Sequence, residues 1–336
     1  MSIFLRARAA SLMDSLGLVS RRLARLSRSS YLVLAYHHVT VRSDNPGILQ
    51  AGMFVSPPTF RRHLTFLKDH FEVISLPDLQ GPLERTRPRG STKPRCILTF
   101  DDGWRDFYRY AFPALEAYDM PATVFLPTAY VGTHNTFWTD RLAAMMPRKQ
   151  DSAYSGPLDP LTRQLLAIDG SFENRLERSI SMLKKHRDER IEAVMAELRL
   201  VWGNGLSPGT RVFISWEEAR RMKESGLISF GSHTATHRIL TLLEDDEIWL
   251  ELLASKEKLI EEQLVDPSFI AFSYPNGNHD ERIERLVKEA GYHVGLTTIK
   301  GWNDSRTDPF RIRRISVHDD IASTTSLFAC RAANIL

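Results

Sequence analysis

The run Cys96-Ile97-Leu98-Thr99-Phe100-Asp101-Asp102-Gly103 decides how this chain is read. Its first five residues, apolar or β-forming, make a short buried strand, and Asp-Asp-Gly stops that strand at a turn. Two carboxylates therefore stand at a strand's C-terminal end. Barrel and open α/β folds build their sites at that edge, because loops there vary without disturbing the sheet. Adjacent carboxylates can divide the labour, one holding a cation and the other taking a proton. A second such place follows the strand-like Leu227-Ile228-Ser229-Phe230 and Gly231, where Ser232-His233-Thr234-Ala235-Thr236-His237 sets two histidines four apart. That spacing predicts both imidazoles on one side of a helical turn. Neutral imidazole with carboxylate oxygen suits zinc. Three protein ligands leave a position for water, as in catalytic rather than structural zinc sites. Together the two segments predict metal-dependent hydrolysis.

Working outward, strand-like segments at 31–36, 72–75, 96–100, 122–126, 228–231, 269–273, 293–297 and 312–317 alternate with helical stretches at 57–70, 106–118, 215–225, 244–264 and 280–290. Such alternation predicts an α/β fold, a parallel sheet with crossover helices, either open or closed. An insertion between Thr133 and Val212 is rich in charge, including Arg175-Leu176-Glu177-Arg178 and Lys184-Lys185-His186-Arg187-Asp188-Glu189-Arg190. It reads as a solvated helical face, or as a wall of the groove it leaves from. Phe137-Trp138-Thr139-Asp140 at its start offers an aromatic platform for a sugar or a piece of core. The Pro- and Arg-rich stretch from Gly81 to Pro94 reads as an exposed loop.

The two motifs resemble those of the polysaccharide deacetylase family, the NodB-homology enzymes of carbohydrate esterase family four, which remove acetyl groups from sugars. The resemblance implies a distorted (β/α)7 barrel over residues 31–336, with the 133–212 helical insertion. It implies that Asp101 is the general base and that Asp102, His233 and His237 bind a divalent metal: zinc, with cobalt, nickel or iron as alternatives. The family's third motif, Arg-x-Pro-Tyr-Gly, is matched in part by Ser273-Tyr274-Pro275-Asn276-Gly277. Ser273 stands at the arginine position and Asn276 at the tyrosine position, so Arg311, Arg313 and Arg314 become candidates to orient Asp101. Tyr274, Pro275, Asn276 and Gly277 then form a substrate loop with a backbone N–H for the oxyanion. The C-terminal Leu-x-His motif is displaced in Ile315-Ser316-Val317-His318. Instead, Leu32-Val33-Leu34-Ala35-Tyr36-His37-His38-Val39 is similar to the Tyr-His-x-Val start of the exopolysaccharide, poly-N-acetylglucosamine deacetylase branch, where the permuted barrel takes its acid from the first strand. His37 is thus the expected general acid and His318 the alternative, with His38 pointing the other way along the pleat in a supporting role.

The function this implies is hydrolysis of N-acetyl groups on an N-acetylglucosamine-type glycan. The nearest alternative is a metal-dependent amidase or deformylase acting on a lipid-linked or small amino-sugar amide. A glycosidase using Asp101 and Asp102 would leave both histidines without a role, and a binding protein without catalysis would need none of the four. Charged residues at 25% and hydrophobic ones at 43% are the balance of a globular chain, and a net charge of +3 gives no argument for nucleic acid. Two cysteines, Cys96 and Cys330, imply no disulfide framework and tolerate a reducing compartment. No run approaches the roughly 20 apolar residues of a membrane span. Residues 1–30 carry six arginines against the single acid Asp14 and lack a secretory apolar core. Leu12, Leu16, Val19, Leu23 and Leu26 recur as one stripe of a basic amphipathic helix, with Arg21, Arg25 and Arg28 behind it. Such a helix lies on an anionic membrane or packs on the barrel or on a partner subunit. The expected location is cytoplasmic, with a membrane-peripheral position as the alternative that the helix leaves open.

Overall fold

The computed structural model of the protein describes residues 3–25, 30–41, 50, 52–81, 93–148, 154, 156–203 and 211–335. Its strands are β1 (Tyr31–Tyr36), β2 (His38–Val39), β3 (Phe54–Val55), β4 (Glu72–Val73), β5 (Arg95–Phe100), β6 (Ala122–Leu126), β7 (Ile228–Ser232), β8 (Ala271–Ser273), β9 (Val294–Leu296) and β10 (Ile315–Ser316). Seven of them run in the order β10-β1-β5-β6-β7-β8-β9, every pairing parallel. Ile312 bridges Leu296 of β9, and three residues on Ile315 pairs Leu34 of β1, so one short segment joins the two ends of the sheet. The result is a distorted (β/α)7 barrel. β4 adds to the start of β5, while β2 and β3 pair only with each other. All eight expected strand segments are present. The most trimmed is the last, 312–317, of which Ile315–Ser316 alone is strand while Ile312 makes a single bridge to Leu296.

Period-two alternation sorts these strands into two environments. Tyr31 and Val33 of β1, Ile97 of β5, Phe125 of β6, Ala271 of β8 and Leu296 of β9, with Ile312 before β10, fill the barrel's interior. Their neighbours Leu32, Leu34, Tyr36, Leu98, Phe100, Val124 and Phe230 face outward, onto Phe60, Leu64 and Leu67 of helix Pro57–His70, Leu115 of helix Phe112–Tyr118 and Phe328 of helix Thr325–Ala332. Each such side chain taken wholly out of water contributes about 1.5–3 kcal/mol. Helix Pro57–His70 starts where expected, with prolines in its first turn where no intrahelical N–H is needed. The stretch expected at 106–118 differs: a π-helical turn, Phe107–Ala111, precedes helix Phe112–Tyr118.

The amino-terminal segment is not the single helix its apolar stripe predicts. Helices Ile3–Ser15 and Leu18–Ala24 are separated by Gly17, whose φ of 69° lies in the left-handed region. That turn splits the stripe: Val19 and Leu23 are buried, while Leu12 and Leu16 face solvent. Leu26 and Arg28 lie outside the described residues. The inward face, with Ala10 fully buried, packs on helix Thr325–Ala332, where Ser326 donates to the Asp14 carboxylate at 3.0 Å.

Four helices, Trp138–Met145, Pro160–Leu166, Phe172–Leu183 and Asp188–Trp202, make up the described part of the insertion, around a core of their own that includes Leu142, Leu165, Leu176, Leu183 and Met195. Its charges are not all solvated. Arg175 is buried and donates to the carbonyls of Pro147 and Arg148. The expected loop at 81–94 falls mostly on residues 82–92, outside those described.

Candidate active site

The strand alternation that fills the barrel also builds its mouth. His37 continues the inward phase of Tyr31 and Val33, Asp101 that of Ile97, Ser273 that of Ala271, and Arg314 that of Ile312. All four meet. Arg314 grips Asp101 with two parallel bonds, Nη1 to Oδ1 and Nη2 to Oδ2, both 2.8 Å. Its Nη2 also donates to Ser273 Oγ at 3.0 Å, and its Nε to the Thr297 carbonyl at 2.9 Å. Burial pushes the Asp101 carboxyl up, but the Arg314 guanidinium, aided by His233 and His37, overrides it and holds the acid below its ordinary value. Asp101 is a buried carboxylate kept ionised. His37 Nε2 lies 3.9 Å from Asp101 Oδ2, and burial outweighs the two neighbouring aspartates to lower its pKa.

Beside this pair Asp102, His233 and His237 converge. Asp102 Oδ1 is 3.5 Å from His233 Nε2 and 3.3 Å from His237 Nε2. The three donor atoms lie within 4.8 Å of one another. Asp102 adopts φ 72°, a conformation aspartate tolerates, and Gly103 follows at φ 65°, where a Cβ would press on Leu126. Trp104 Nε1 then donates to the second Asp102 oxygen at 3.0 Å. His233 Nδ1 donates to the Ser273 carbonyl at 2.7 Å, leaving the Nε2 lone pair free to ligate. Burial lowers His233 to about 4, so it is neutral near pH 7, and the neighbouring histidines, His237 first, hold Asp102 far below the usual carboxylate range against its burial. Two imidazoles and one carboxylate, with one imidazole oriented by a carbonyl, fit a divalent cation.

The expected helical turn at 233–237 is absent. Thr234 and His237 take positive φ, 64° and 63°, and the segment is a loop. Hydrogen bonds fold it: Thr234 N–H to Ser232 Oγ, His237 N–H to Thr234 Oγ1, and both the N–H and the hydroxyl of Thr236 to the buried Glu251 carboxylate. The histidines still face the same point, with ring centroids 4.8 Å apart, because this loop and not helical periodicity aims them. Among described non-glycine residues seven have positive φ, and Asp102, Thr234, His237 and Asn276 are four of them, so backbone strain gathers at the site.

Other expected residues fall out differently. Tyr274 follows Ser273 and so faces outward: it is buried, stacks on His279, and its hydroxyl donates to the Phe310 carbonyl, away from the cleft. Pro275 is buried, Asn276 turns at φ 56°, and Gly277 has φ 75° where any Cβ would collide with Thr298. Of this quartet Asn276 alone lines the cleft. Arg311 pairs with Glu284, while Arg313 lies against Gly301, leaving Arg314 as the orienting arginine. His318 bonds Asp320 beside Gly52 and does not join His37. His38, as the pleat requires, turns the other way to Asp106 Oδ2 at 2.6 Å and stacks on Trp104; Asp106 outweighs burial and raises its pKa. Phe137 is no open platform, being buried among Trp104, Tyr130 and Phe213 and stacked on His237.

The cleft above Asp102 and His237 is walled by the insertion, through Lys184, His186, Asp188 and Ile191. Lys184 Nζ reaches across to Asn276 Oδ1 at 2.7 Å. Arg238, next to His237, pairs with Glu189 of the insertion and Glu247 of the barrel, tying the wall to the rim. Asp140, also on the cleft, is raised to about 7 by burial, and its Oδ2 has no partner. The sequence reading passed over Lys184, Asp140 and Glu251. A charge run gives no sign of which member turns inward, and Glu251 is one of many acids on a helix.

Comparison with known proteins is consistent across sequence and structure. The sequence model of the family described as polysaccharide deacetylase matches residues 89–295, a stretch that holds Asp101, Asp102, His233 and His237 but neither His37 nor Arg314. The Bacillus subtilis (strain 168) protein YxkH, named as a candidate polysaccharide deacetylase, is 21% identical over 285 residues, 85% of this chain and 70% of that one. Among solved structures, the Streptococcus pyogenes deacetylase PplD in complex with acetate superposes with a TM-score of 0.57 at 20% identity, over 89% of this chain and 97% of that one. IcaB from Ammonifex degensii gives 0.58 at 17% identity, over 91% and 97%. At those identities the two structures establish the fold.

Proposed function

The chain belongs to the polysaccharide deacetylase family, a hydrolase of acetyl carbon–nitrogen bonds, and from that premise we propose that it removes N-acetyl groups from an N-acetylglucosamine-type glycan with the help of a divalent metal. One observation carries the reading: a candidate metal triad, Asp102, His233 and His237, stands beside a separate carboxylate, Asp101, kept ionised by a buried arginine. Zinc fits the donor set, with cobalt, nickel or iron as alternatives.

A divalent ion held by those three residues supplies Lewis acidity and a water acidified enough to attack near neutral pH. The remaining roles fall to the chain itself. Asp101 accepts the proton of the attacking water, which its ionised state allows and Arg314 preserves. His37, 3.9 Å from Asp101 on the same inward face, delivers a proton to the departing amine. The backbone of the Asn276 turn offers an N–H to the developing oxyanion, and Lys184 steadies that turn from the insertion. Trp138, Tyr130 and the insertion's wall flank the space left for the sugar. A cytoplasmic location agrees with two buried, free cysteines.

The second reading, an amidase for a lipid-linked or small amino-sugar amide, draws on Asn276 in place of the family's tyrosine and on its bond to Lys184. The deciding test is acetate release from N-acetylglucosamine oligomers by purified protein, with and without zinc or cobalt, beside Asp101→Asn. Metal-dependent release lost in the variant supports the glycan reading. No release from oligomers, with release from a lipid-linked or monomeric N-acetyl sugar, selects the second.

A further inference from the structure

The two amino-terminal helices present an outward surface that the barrel does not use. Leu12 and Leu16 are 60% and 58% exposed, Leu18 is 41% exposed and Leu5 55%. Four of the ten exposed large apolar side chains among the described residues thus lie within fourteen positions of each other. Helical spacing puts Leu5, Arg8 and Leu12 on one face, opposite the buried Ala10. Arg6, Arg8, Arg21, Arg22 and Arg25 are all exposed around them. The only acid of the segment, Asp14, is turned inward to Ser326, so the segment's own outward face carries no carboxylate. The Gly17 turn produces this arrangement: it sends Val19 and Leu23 into the body and leaves the leucines before it outside.

We propose that this helix pair is a docking surface for an anionic lipid bilayer, the leucines entering the interface and the arginines meeting lipid phosphates. Charge complementarity selects that occupant. A second copy of this chain would set five arginines against five, whereas an anionic surface attracts each of them with a factor of about five in affinity. No helix among the described residues is long and apolar enough to cross a membrane, so attachment is to the surface. The inference stands apart from the deacetylase reading, since none of these residues lines the cleft.

The test is flotation of the purified full chain with vesicles of phosphatidylcholine alone, or of phosphatidylcholine with phosphatidylglycerol, at low and high salt. Binding is expected to the anionic vesicles, falling with salt. Arg21→Glu/Arg22→Glu should weaken it by at least twenty-fold on the same scale, and Leu12→Ser/Leu16→Ser should weaken it with little change in salt dependence. Both variants alter exposed residues, and an unchanged circular dichroism spectrum confirms that they fold. Equal affinity for neutral and anionic vesicles, binding indifferent to both variants, or no binding at all overturns the proposal. So does a dimer in solution that the leucine variant dissolves.

Discussion

Replacing Arg314 by methionine tests the centre of the site. Arg314 is 1% and Asp101 3% exposed, so their two 2.8 Å bonds are made out of water. Removing one partner from such a pair costs about 3–5 kcal/mol, because a buried charge is left uncompensated. Folding can survive that loss if Asp101 takes up a proton instead. The sign of the pH effect follows. In the parent, the depressed Asp101 contributes stability above the unfolded value of 3.8, and this is lost as pH falls through the lower folded value. In Arg314→Met burial acts with its main opponent gone, the folded pKa rises, and the base is neutral where the parent is ionised. Acetate release should then fall by roughly 10²–10⁴-fold near neutral pH. The acid limb of the rate profile should shift to higher pH, so that the deficit narrows as pH is raised. Arg314→Lys, keeping charge but losing the fork, should fall between. Activity of Arg314→Met within about threefold of the parent at mildly acidic pH, with the limb unmoved, refutes the assignment.

Because Arg314 Nη2 sits 3.0 Å from Ser273 Oγ, an arginine arriving from position 273 occupies the same place: Ser273→Arg/Arg314→Ser should recover activity that Arg314→Ser alone loses, measured as acetate release. His37→Ala should cost about 10²–10⁴-fold on an N-acetyl amide but far less on an activated acetate ester, whose leaving group needs no proton, while His318→Ala leaves both rates unchanged. His63, fully buried between Tyr36, the Ala322 carbonyl and Phe328, is lowered by burial from 6.5 to about 4. The unfolded chain therefore binds a proton the folded one refuses, and urea melts should show stability falling by up to about 3 kcal/mol as pH drops through that interval, less so in His63→Phe. Chelation followed by metal analysis should leave Asp102→Asn and His237→Ala unable to regain a stoichiometric ion that the parent regains.

Much of this was legible in the sequence. The strand Cys96–Phe100 and its aspartates could be placed because a buried strand has a fixed period, and the same parity told His37 from His38. Applied to Ser273, that parity would also have turned Tyr274 away from the cleft, since neighbours on a strand face opposite ways. The histidine pair was found through the wrong geometry: spacing predicts a helical turn, but Ser232, Thr234, Thr236 and Glu251 fold a loop whose hydrogen bonds no periodicity reveals. Arg314 could be named only as one of three, because choosing it needs the closure of the ring. Gly17 hid in plain view, a single residue that divides an otherwise helical stripe. Lys184 belonged to a charge run whose inward members, Lys184, His186 and Asp188, are decided by how the insertion packs.

The bridge at Ile312 and the pairing at Ile315 do more than join two sheet ends, for Arg314 sits between them. A nascent or clipped chain without this segment still owns every candidate ligand and Asp101, yet lacks the guanidinium that holds the proposed base ionised. Reactivity is therefore issued last, on completion of the circle, and a half-made molecule is an unarmed one. The strands that carry the proposed acid and the clamp on the base are the first and the last of the ring, and they lie side by side. A gene reopened at another inter-strand loop should encode the same catalyst in a different order of synthesis, with the moment of arming moved accordingly.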